Sequence, residues 1–200
     1  MGFTKYTQEM FNLLPVVGHI KKCPSGNYSE IKEFPSLCQF GAKSFFRCDC
    51  KFGDNCSFEF SCDFADHCTF GDFCEFGAYC VFDNNCSFGH ACNFGRACSF
   101  GEHVGFGSWS SFGEYCEFRN GSICEFGEFD KMISCGGFGS EERTTYFFLL
   151  TDKRIFVRCG CFHGNIDEWA MQVSDTHEGT NLEDAYLALI PAVKAQFEAN

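Results

Sequence analysis

Phenylalanine returns every sixth residue at 40, 46, 52, 58, 64, 70, 76, 82, 88, 94, 100, 106, 112 and 118, fourteen times without a gap. Two residues before each stands a small side chain, eleven times Cys and otherwise Ser44, Val104 and Ser110. Gly follows in nine units, at 41, 53, 71, 77, 89, 95, 101, 107 and 113, while Arg47, Glu59, Ala65, Asp83 and Arg119 take that place in the other five. An unbroken run of this length marks a repeat architecture. Cys and Phe two apart project to one face of an extended strand. Small and large side chains in alternation can fill a narrow interior at normal packing density. The Gly after Phe is expected to supply a positive φ that turns the chain into the next side. Residues six apart fall on different faces of a helix, which excludes that alternative. The chain should therefore coil so that Phe stacks on Phe and Cys on Cys at ~4.8 Å.

The motif Phe-Gly-x-x-Cys-x resembles the hexapeptide repeat of left-handed parallel β-helices, with Phe in the aliphatic slot and Cys in the small one. The resemblance spans roughly Cys38 to Gly127. It implies a mainly β fold: a three-sided, left-handed parallel β-helix of about five coils, 18 residues per coil. After Phe118 the next Cys-x-Phe-Gly is Cys124 to Gly127, so a two-residue bulge at Asn120-Gly121 is expected. Phe138-Gly139 returns in the new phase and predicts one irregular coil beyond it.

Solenoids need capped ends. Residues 1–37 read as an N-terminal segment with a short helix after Thr7, and Phe34 as the start of the first side. Residues 38–139 form the solenoid and 140–200 an α+β module serving as a C-terminal cap. In that module Arg143 to Val157 predicts a hairpin turning at Asp152-Lys153. Asn165 with Glu168 predicts a capping-box helix carrying Ile166, Trp169 and Val173 on its apolar face. A second helix should start near Asn181, and Pro191 should kink or divide it. The stretches 143–148 and 155–162 resemble modules on Cys/Phe-repeat proteins of phages and gut bacteria, a likeness that implies no chemistry.

Seventeen cysteines suggest a disulfide scaffold, but their strict phase with Phe places them in a core that needs no covalent help. The chain shows no secretory leader pattern and no run of ~18 apolar residues. Reduced thiols in a cytoplasm follow.

Candidate chemistry is sparse. Cys159, Cys161 and His163 alternate as zinc ligands on one strand face could, yet a fourth ligand is missing, so no metal is expected. The hexapeptide resemblance brings acyltransferases and a carbonic anhydrase class as enzymatic alternatives. His67 and His103 fall in one column with Asn85 between them, about 10 Å apart, which is too far for one ion. His90 occupies another slot, and no loop builds an acceptor pocket. Neither catalytic residues nor a cofactor are assigned. An ice-binding surface is excluded, because the outward residue between Cys and Phe varies as Lys51, Ser57, Asp63, Thr69, Glu75 and Val81.

Charge points elsewhere. Between Cys50 and Asp130 stand 13 Asp or Glu and 3 Lys or Arg, a net of −10 within a chain of −12. Over five coils that is about one charge per 2.4 Å, against ~1.7 Å for duplex DNA. Such an acidic rod repels nucleic acid, and it suits a basic protein partner, as in DNA-mimicking inhibitors of nucleic-acid enzymes. The same charge also keeps a Phe-rich rod soluble. Asp54, Asp66, Asp72, Glu102 and Glu114 are the expected acidic contact residues. Outward aromatics, Phe73 with Trp109 and Tyr79 with Tyr115, form two columns suited to an interface, including self-association. A hexapeptide-type transferase with an intersubunit site and a purely structural component are the alternatives.

Overall fold

The computed structural model describes residues 3–113, 115–119, 122–124, 127–138 and 143–199. The chain divides into two units, Met1–Glu125 and Phe126–Asn200. The first is a parallel β-solenoid of about six turns, one more than the repeat count predicts.

Three sides recur. Side I holds Cys38–Phe40, Ser57–Phe58, Glu75–Phe76, Asn93–Phe94 and Ser111–Phe112. Side II holds Phe45–Phe46, Asp63–Phe64, Val81–Phe82, Ser99–Phe100 and Glu117–Phe118. Side III holds Glu33–Phe34, Lys51–Phe52, Thr69–Phe70, Ser87–Phe88 and Gly105–Phe106, and Gly105 then pairs with Ile123. Pairing is parallel with an 18-residue offset, as in Phe76 with Phe94 and Phe82 with Phe100.

The interior is aromatic. Rings stack face to face up each side, with Phe52–Phe70 at 4.8 Å and 2° and Phe58–Phe76 at 4.9 Å and 1°. Between sides they meet edge to face, Phe52–Phe58 at 5.1 Å and 87°. Both geometries suit the ring quadrupole, and each pair adds about 0.5–1.5 kcal/mol beyond area burial.

The cysteines do more than fill space. Each repeat thiol from Cys56 to Cys98 reaches the carbonyl 21 residues earlier, as in Cys80 to Glu59 at 3.5 Å and Cys98 to Gly77 at 3.4 Å. A thiol is thus a core filler with a weak donor. Ser44, Ser110 and Ser122 instead bond the carbonyl three residues back, at 2.7, 2.8 and 3.0 Å. Their shorter reach selects the nearer acceptor.

Two expectations about the turns are corrected. The Gly after Phe does not carry the positive φ; the residue two places later does. Fourteen consecutive units place Leu37, Lys43, Asp49, Asn55, Ser61, His67, Phe73, Tyr79, Asn85, Ala91, Ala97, His103, Trp109 and Tyr115 at φ 52–66°. That region costs non-Gly residues about 1–2 kcal/mol each, and a β-branched residue more. No Val, Ile or Thr occurs there. Coil-to-coil bonds hold the strain, as in Asn55 N–H to the Asp72 carbonyl at 2.8 Å and Phe73 to His90 at 2.9 Å. The Gly slot is reserved because the chain passes directly over the previous coil. A Cβ on Gly77 would lie 2.7 Å from the Phe60 nitrogen. Where the slot carries a side chain, the backbone bond to the coil below is 3.0 Å at Glu59, 3.2 Å at Ala65 and 3.1 Å at Arg119, slacker than the 2.7–2.9 Å at the Gly slots, but 2.8 Å at Asp83.

The second correction concerns phase. Gly105 pairs with Ile123, so the 18-residue register persists, with Ser122 in the Cys slot and Cys124 in the Phe slot. The Cys-x-Phe-Gly string at 124–127 is not a shifted repeat. Asn120 and Gly121, where a bulge was expected, lie outside the described residues.

The solenoid starts earlier than Phe34. Tyr28 stacks on Phe46 at 5.4 Å and Tyr6 on Tyr28 at 4.7 Å, extending the side II column downward. Helix α1 (Gln8–Asn12) follows Thr7 as expected, is capped by its side chain, and seats Phe11 edge-on against Phe34 at 5.4 Å.

The second unit has four antiparallel strands: Gly127–Phe138, Arg143–Leu150, Ile155–Cys159 and Phe162–Asn165. The expected hairpin is thus the centre of a meander, and 127–138 is one long strand rather than an irregular coil. Helix α2 (Ile166–His177) begins at the Asn165–Glu168 capping box. Helix α3 (Asn181–Glu198) runs through Pro191 undivided. Phe147, Leu149, Val157, Trp169, Val173, Val193 and Phe197 form this unit's core.

Two stability tests follow from this packing. Gly77→Ala should cost about 1–3 kcal/mol in chemical denaturation by forcing the coils apart. Gly105→Ala, whose Cβ would meet nothing nearer than Ser87 Cβ at 4.0 Å, should be near neutral. Phe88→Ala, emptying one tile of the stack, should cost ~3–5 kcal/mol. A silent Phe88→Ala would contradict the stacked core.

Candidate functional site

The three corners differ in chemistry, and the register decides what each collects. The corner after side III carries Ser36, Asp54, Asp72 and His90 in one row, and Leu37, Asn55, Phe73, Ala91 and Trp109 in the next. The corner after side II carries Asp66, Asn84 and Glu102, then Asp49, His67, Asn85 and His103. The corner after side I carries Ala42, Phe60, Ala78 and Arg96, then Lys43, Ser61, Tyr79, Ala97 and Tyr115. The expected acidic face is therefore split: Asp54 with Asp72 on one corner, Asp66 with Glu102 on another. Glu114 lies outside the described residues.

Several of these carboxylates also work in the scaffold. Asp54 Oδ1 accepts the Asp72 N–H at 2.9 Å, and Asp72 Oδ1 accepts the His90 N–H at 2.7 Å. Ser36 Oγ begins the same ladder with the Asp54 N–H at 3.0 Å. On the next corner Asp66 Oδ1 accepts the Asn84 N–H at 2.9 Å and its amide at 3.1 Å, and Asn84 Oδ1 accepts the Glu102 N–H at 2.8 Å. Sequence reasoning missed this ladder. Its signal was an Asp or Asn directly after the Gly slot, repeating at 18 residues.

Acidity concentrates on side II and its following corner, where Asp49, Asp63, Asp66, Asp83, Glu102 and Glu117 gather. Burial, then the neighbouring Asp83, holds the Asp63 carboxyl above the usual carboxylate range. Burial, then Asp66, does the same for Asp83, with Arg119 opposing. Like charges held close by the coil spacing explain the second cause in each case. At the lower end of this corner a Lys32 hydrogen bond lowers the Asp49 carboxyl. A groove of about 260 Å³ opens here, where Gly101 leaves a gap between Asp83 and Arg119; Asn84, Ser99 and Glu117 complete its rim.

The expected aromatic columns are exposed on the other two corners: Phe73 and Trp109 after side III, Tyr79 and Tyr115 after side I. The Arg96 guanidinium lies 5.6 Å from the Tyr79 ring centre and donates to its hydroxyl at 3.1 Å.

Thiols and metal candidates behave differently from each other. All 17 cysteines are free. The hydrogen bond with Cys62, aided by burial, pushes Cys80 up to about 12. In the other columns one partner is pulled down as its neighbour is pushed up, Cys56 and Cys68 against Cys38, Cys74, Cys50 and Cys86, because a thiolate would accept the adjacent S–H. Burial among the Phe rings opposes that pull and favours the neutral thiol. Cys159, Cys161 and His163 do not share a strand face. Gly160, at φ 59°, turns the chain between the strands, so Cys159 pairs with Phe162 while His163 pairs with Arg158. The Thr145 hydroxyl donates to Cys159 Sγ at 3.1 Å. Among the described residues no three His, Cys, Asp or Glu side chains converge as a metal site would need. His67 and His103 sit in one column with Asn85 between them, as the repeat predicts. No helix among the described residues is long and apolar enough to cross a membrane.

A raised folded-state carboxyl binds its proton more tightly than in the unfolded chain. Its favourable contribution is present below the unfolded value and is lost as pH rises through the folded one. Asp63→Asn with Asp83→Asn should therefore stabilise the protein at neutral pH. The gain should vanish below the ordinary carboxylate range, where both forms are protonated. Thermal melts across pH 3–7 check the sign.

No family model, no curated protein and no solved structure matches this chain.

Proposed function

We propose that this protein is a non-catalytic interaction rod whose acidic side II and adjoining corner engage a basic protein surface, in the sharpest form that of a nucleic-acid enzyme. The observation that carries the reading is the placement of Asp63, Asp66 and Asp83 together on side II and its corner by the coil register, where partial burial and neighbouring carboxylates raise Asp63 and Asp83. Solubility alone does not need charges pressed together, because scattered ones serve equally well. A basic partner relieves this repulsion on binding, and the rigid backbone fixes charge positions without an ordering cost. The 18-residue turns support kinship with left-handed hexapeptide-repeat solenoids. The transferase alternative predicts coenzyme A retention; the interaction reading predicts none. Free thiols suit a reducing, cytoplasmic setting.

A structural, self-assembling role is favoured by a separate feature. The Val16–Val17 strand and Leu13 expose apolar surface at the N-terminal end of the solenoid. Assembly there predicts concentration-dependent oligomers that persist in high salt.

The test uses isosteric neutralisation, since Asn keeps the Oδ1 acceptor of the ladder while Lys destroys it. A variant combining Asp63→Asn, Asp66→Asn, Asp83→Asn and Glu102→Gln is compared with the parent for inhibition of a panel of DNA-cleaving enzymes. The parent should inhibit at low salt and lose at least about tenfold in potency near 200 mM salt. The neutralised variant should be weaker by a similar factor at low salt. Inhibition unchanged by neutralisation, or absent across the panel, would sink the reading.

A further inference from the structure

The N-terminal hairpin leaves the side I sheet with an open edge. Strand Val16–Val17 turns through Gly18, at φ 64°, and His19, then runs back antiparallel as Ile20–Cys23. It stands last in the seven-stranded sheet, and no strand among the described residues lies beyond it.

The parity of this hairpin decides which backbone groups face outward. Residues of an antiparallel pair alternate between exchanging both backbone bonds and turning them away. The Lys22 N–H donates to the Pro15 carbonyl at 2.8 Å, so 15 and 22 are of the bonded kind. The two-residue turn makes Val17 and Ile20 another such pair. Val16, opposite Lys21, therefore directs its N–H and C=O to the outer edge. Lys21 agrees, since its own N–H points the other way, to the Leu37 carbonyl at 2.9 Å. Proline commonly guards an edge, but Pro15 shares the parity of Val17, so the N–H it lacks belongs to the inner side.

Charge does not guard the edge either. Residues 12–20 contain no Asp, Glu, Lys or Arg. The two lysines that follow are drawn inward. Lys21 Nζ donates to the carbonyls of Phe11, Asn12 and Leu14 at 3.2, 3.4 and 3.4 Å, and Lys22 Nζ donates to Gln39 Oε1. Leu13, Val16 and Val17 are 80, 57 and 60% exposed. An apolar, uncharged edge of this kind is a template for another strand. A two-fold axis at Val16 lays the segment on itself with no like charges meeting. The whole net charge of −12 lies outside residues 12–20, so approach of a second copy costs least here.

We propose that two copies of this chain pair edge to edge through Val16–Val17, antiparallel about a two-fold axis, with each Val16 N–H donating to the Val16 carbonyl of the other copy. Leu13, Val16 and Val17 supply the apolar contact. An isologous pair closes on itself, so assembly stops at two. Roughly a few hundred Å2 per copy is small for a specific interface, which makes the dimer reversible. The inference rests on the self-assembling reading above and gives it a partner and a geometry.

The experiment is sedimentation equilibrium of the intact protein across micromolar concentrations, in low and high salt. A monomer–dimer equilibrium that persists in high salt is expected. Val16→Pro removes the outward N–H but spares both inner pairs, and it should weaken dimerisation at least about tenfold. Val16→Thr, which keeps the N–H and the side-chain shape, should weaken it far less. An unchanged denaturation midpoint shows that both variants are folded. The four-site acidic neutralisation should not weaken the dimer, which separates this result from the acidic reading. A monomer at every concentration overturns both the inference and the self-assembling reading. Oligomers that grow past two, or a dimer indifferent to Val16→Pro, overturn the inference and leave that reading standing. Flotation with phosphatidylcholine–phosphatidylglycerol vesicles, lost in Val17→Lys and unaccompanied by dimers, overturns it in favour of a lipid surface.

Discussion

Stacked phenylalanine fixes the geometry on which everything else rests. Rings repeating at 4.7–5.4 Å up each side match the spacing that parallel backbone hydrogen bonds require. Side-chain and main-chain demands therefore agree, coil after coil. Because the rings fill the interior, the chain must turn within three residues at each corner. That tightness explains both the left-handed residue and the neighbouring Gly, whose missing Cβ lets one coil pass directly over the last. The thiols complete the arrangement as small groups that still offer a donor to a carbonyl one coil below.

The side chains on the outside inherit this regularity. An Asp after the Gly slot is placed where its Oδ1 meets the N–H of the equivalent residue in the next coil, so Asp54, Asp72 and Asp66 belong partly to the scaffold. Their second oxygens retain the negative charge. A structural role is thus built into these positions, and only an isosteric change can separate it from the effect of their charge. Asp63 and Asp83 are raised instead by partial burial and by neighbouring carboxylates.

Much of the solenoid was legible because its period is written in the residues that form the core. Strand positions, the start of α1 after Thr7 and the Asn165 capping box follow from local chemistry that sequence displays, while the 18-residue offset is what the hexapeptide resemblance implied. The errors have physical sources. Gly was assigned the positive φ because Gly is the usual bearer of that conformation; the need for it here is a close approach between coils, which only the stacked structure reveals. The string Cys124 to Gly127 imitates a repeat unit, but Ser122, buried and bonded to the Arg119 carbonyl, keeps the original phase. Cys159 and His163 looked like alternating ligands because the turn at Gly160 lies hidden inside an otherwise strand-like sequence. The acidic face was half visible: the charge count is a sequence property, whereas its division among corners depends on the register.

A rigid 18-residue register turns any sequence period into a spatial one. Residues 18 apart become neighbours, and residues 36 apart become a row at about 10 Å. Core demands account for the six-residue period, and the turns account for the absence of β-branched residues at the corners. Outside the core the register gathers side chains by row: the Arg96 guanidinium reaches the Tyr79 ring across one coil step, and Asp72 accepts the His90 N–H across another. On side II the same register brings Asp63, Asp66 and Asp83 together, with Arg119 opposing their mutual repulsion at Asp83. The chemistry of each outer row is therefore a consequence of the scaffold, set by which residues stand 18 apart.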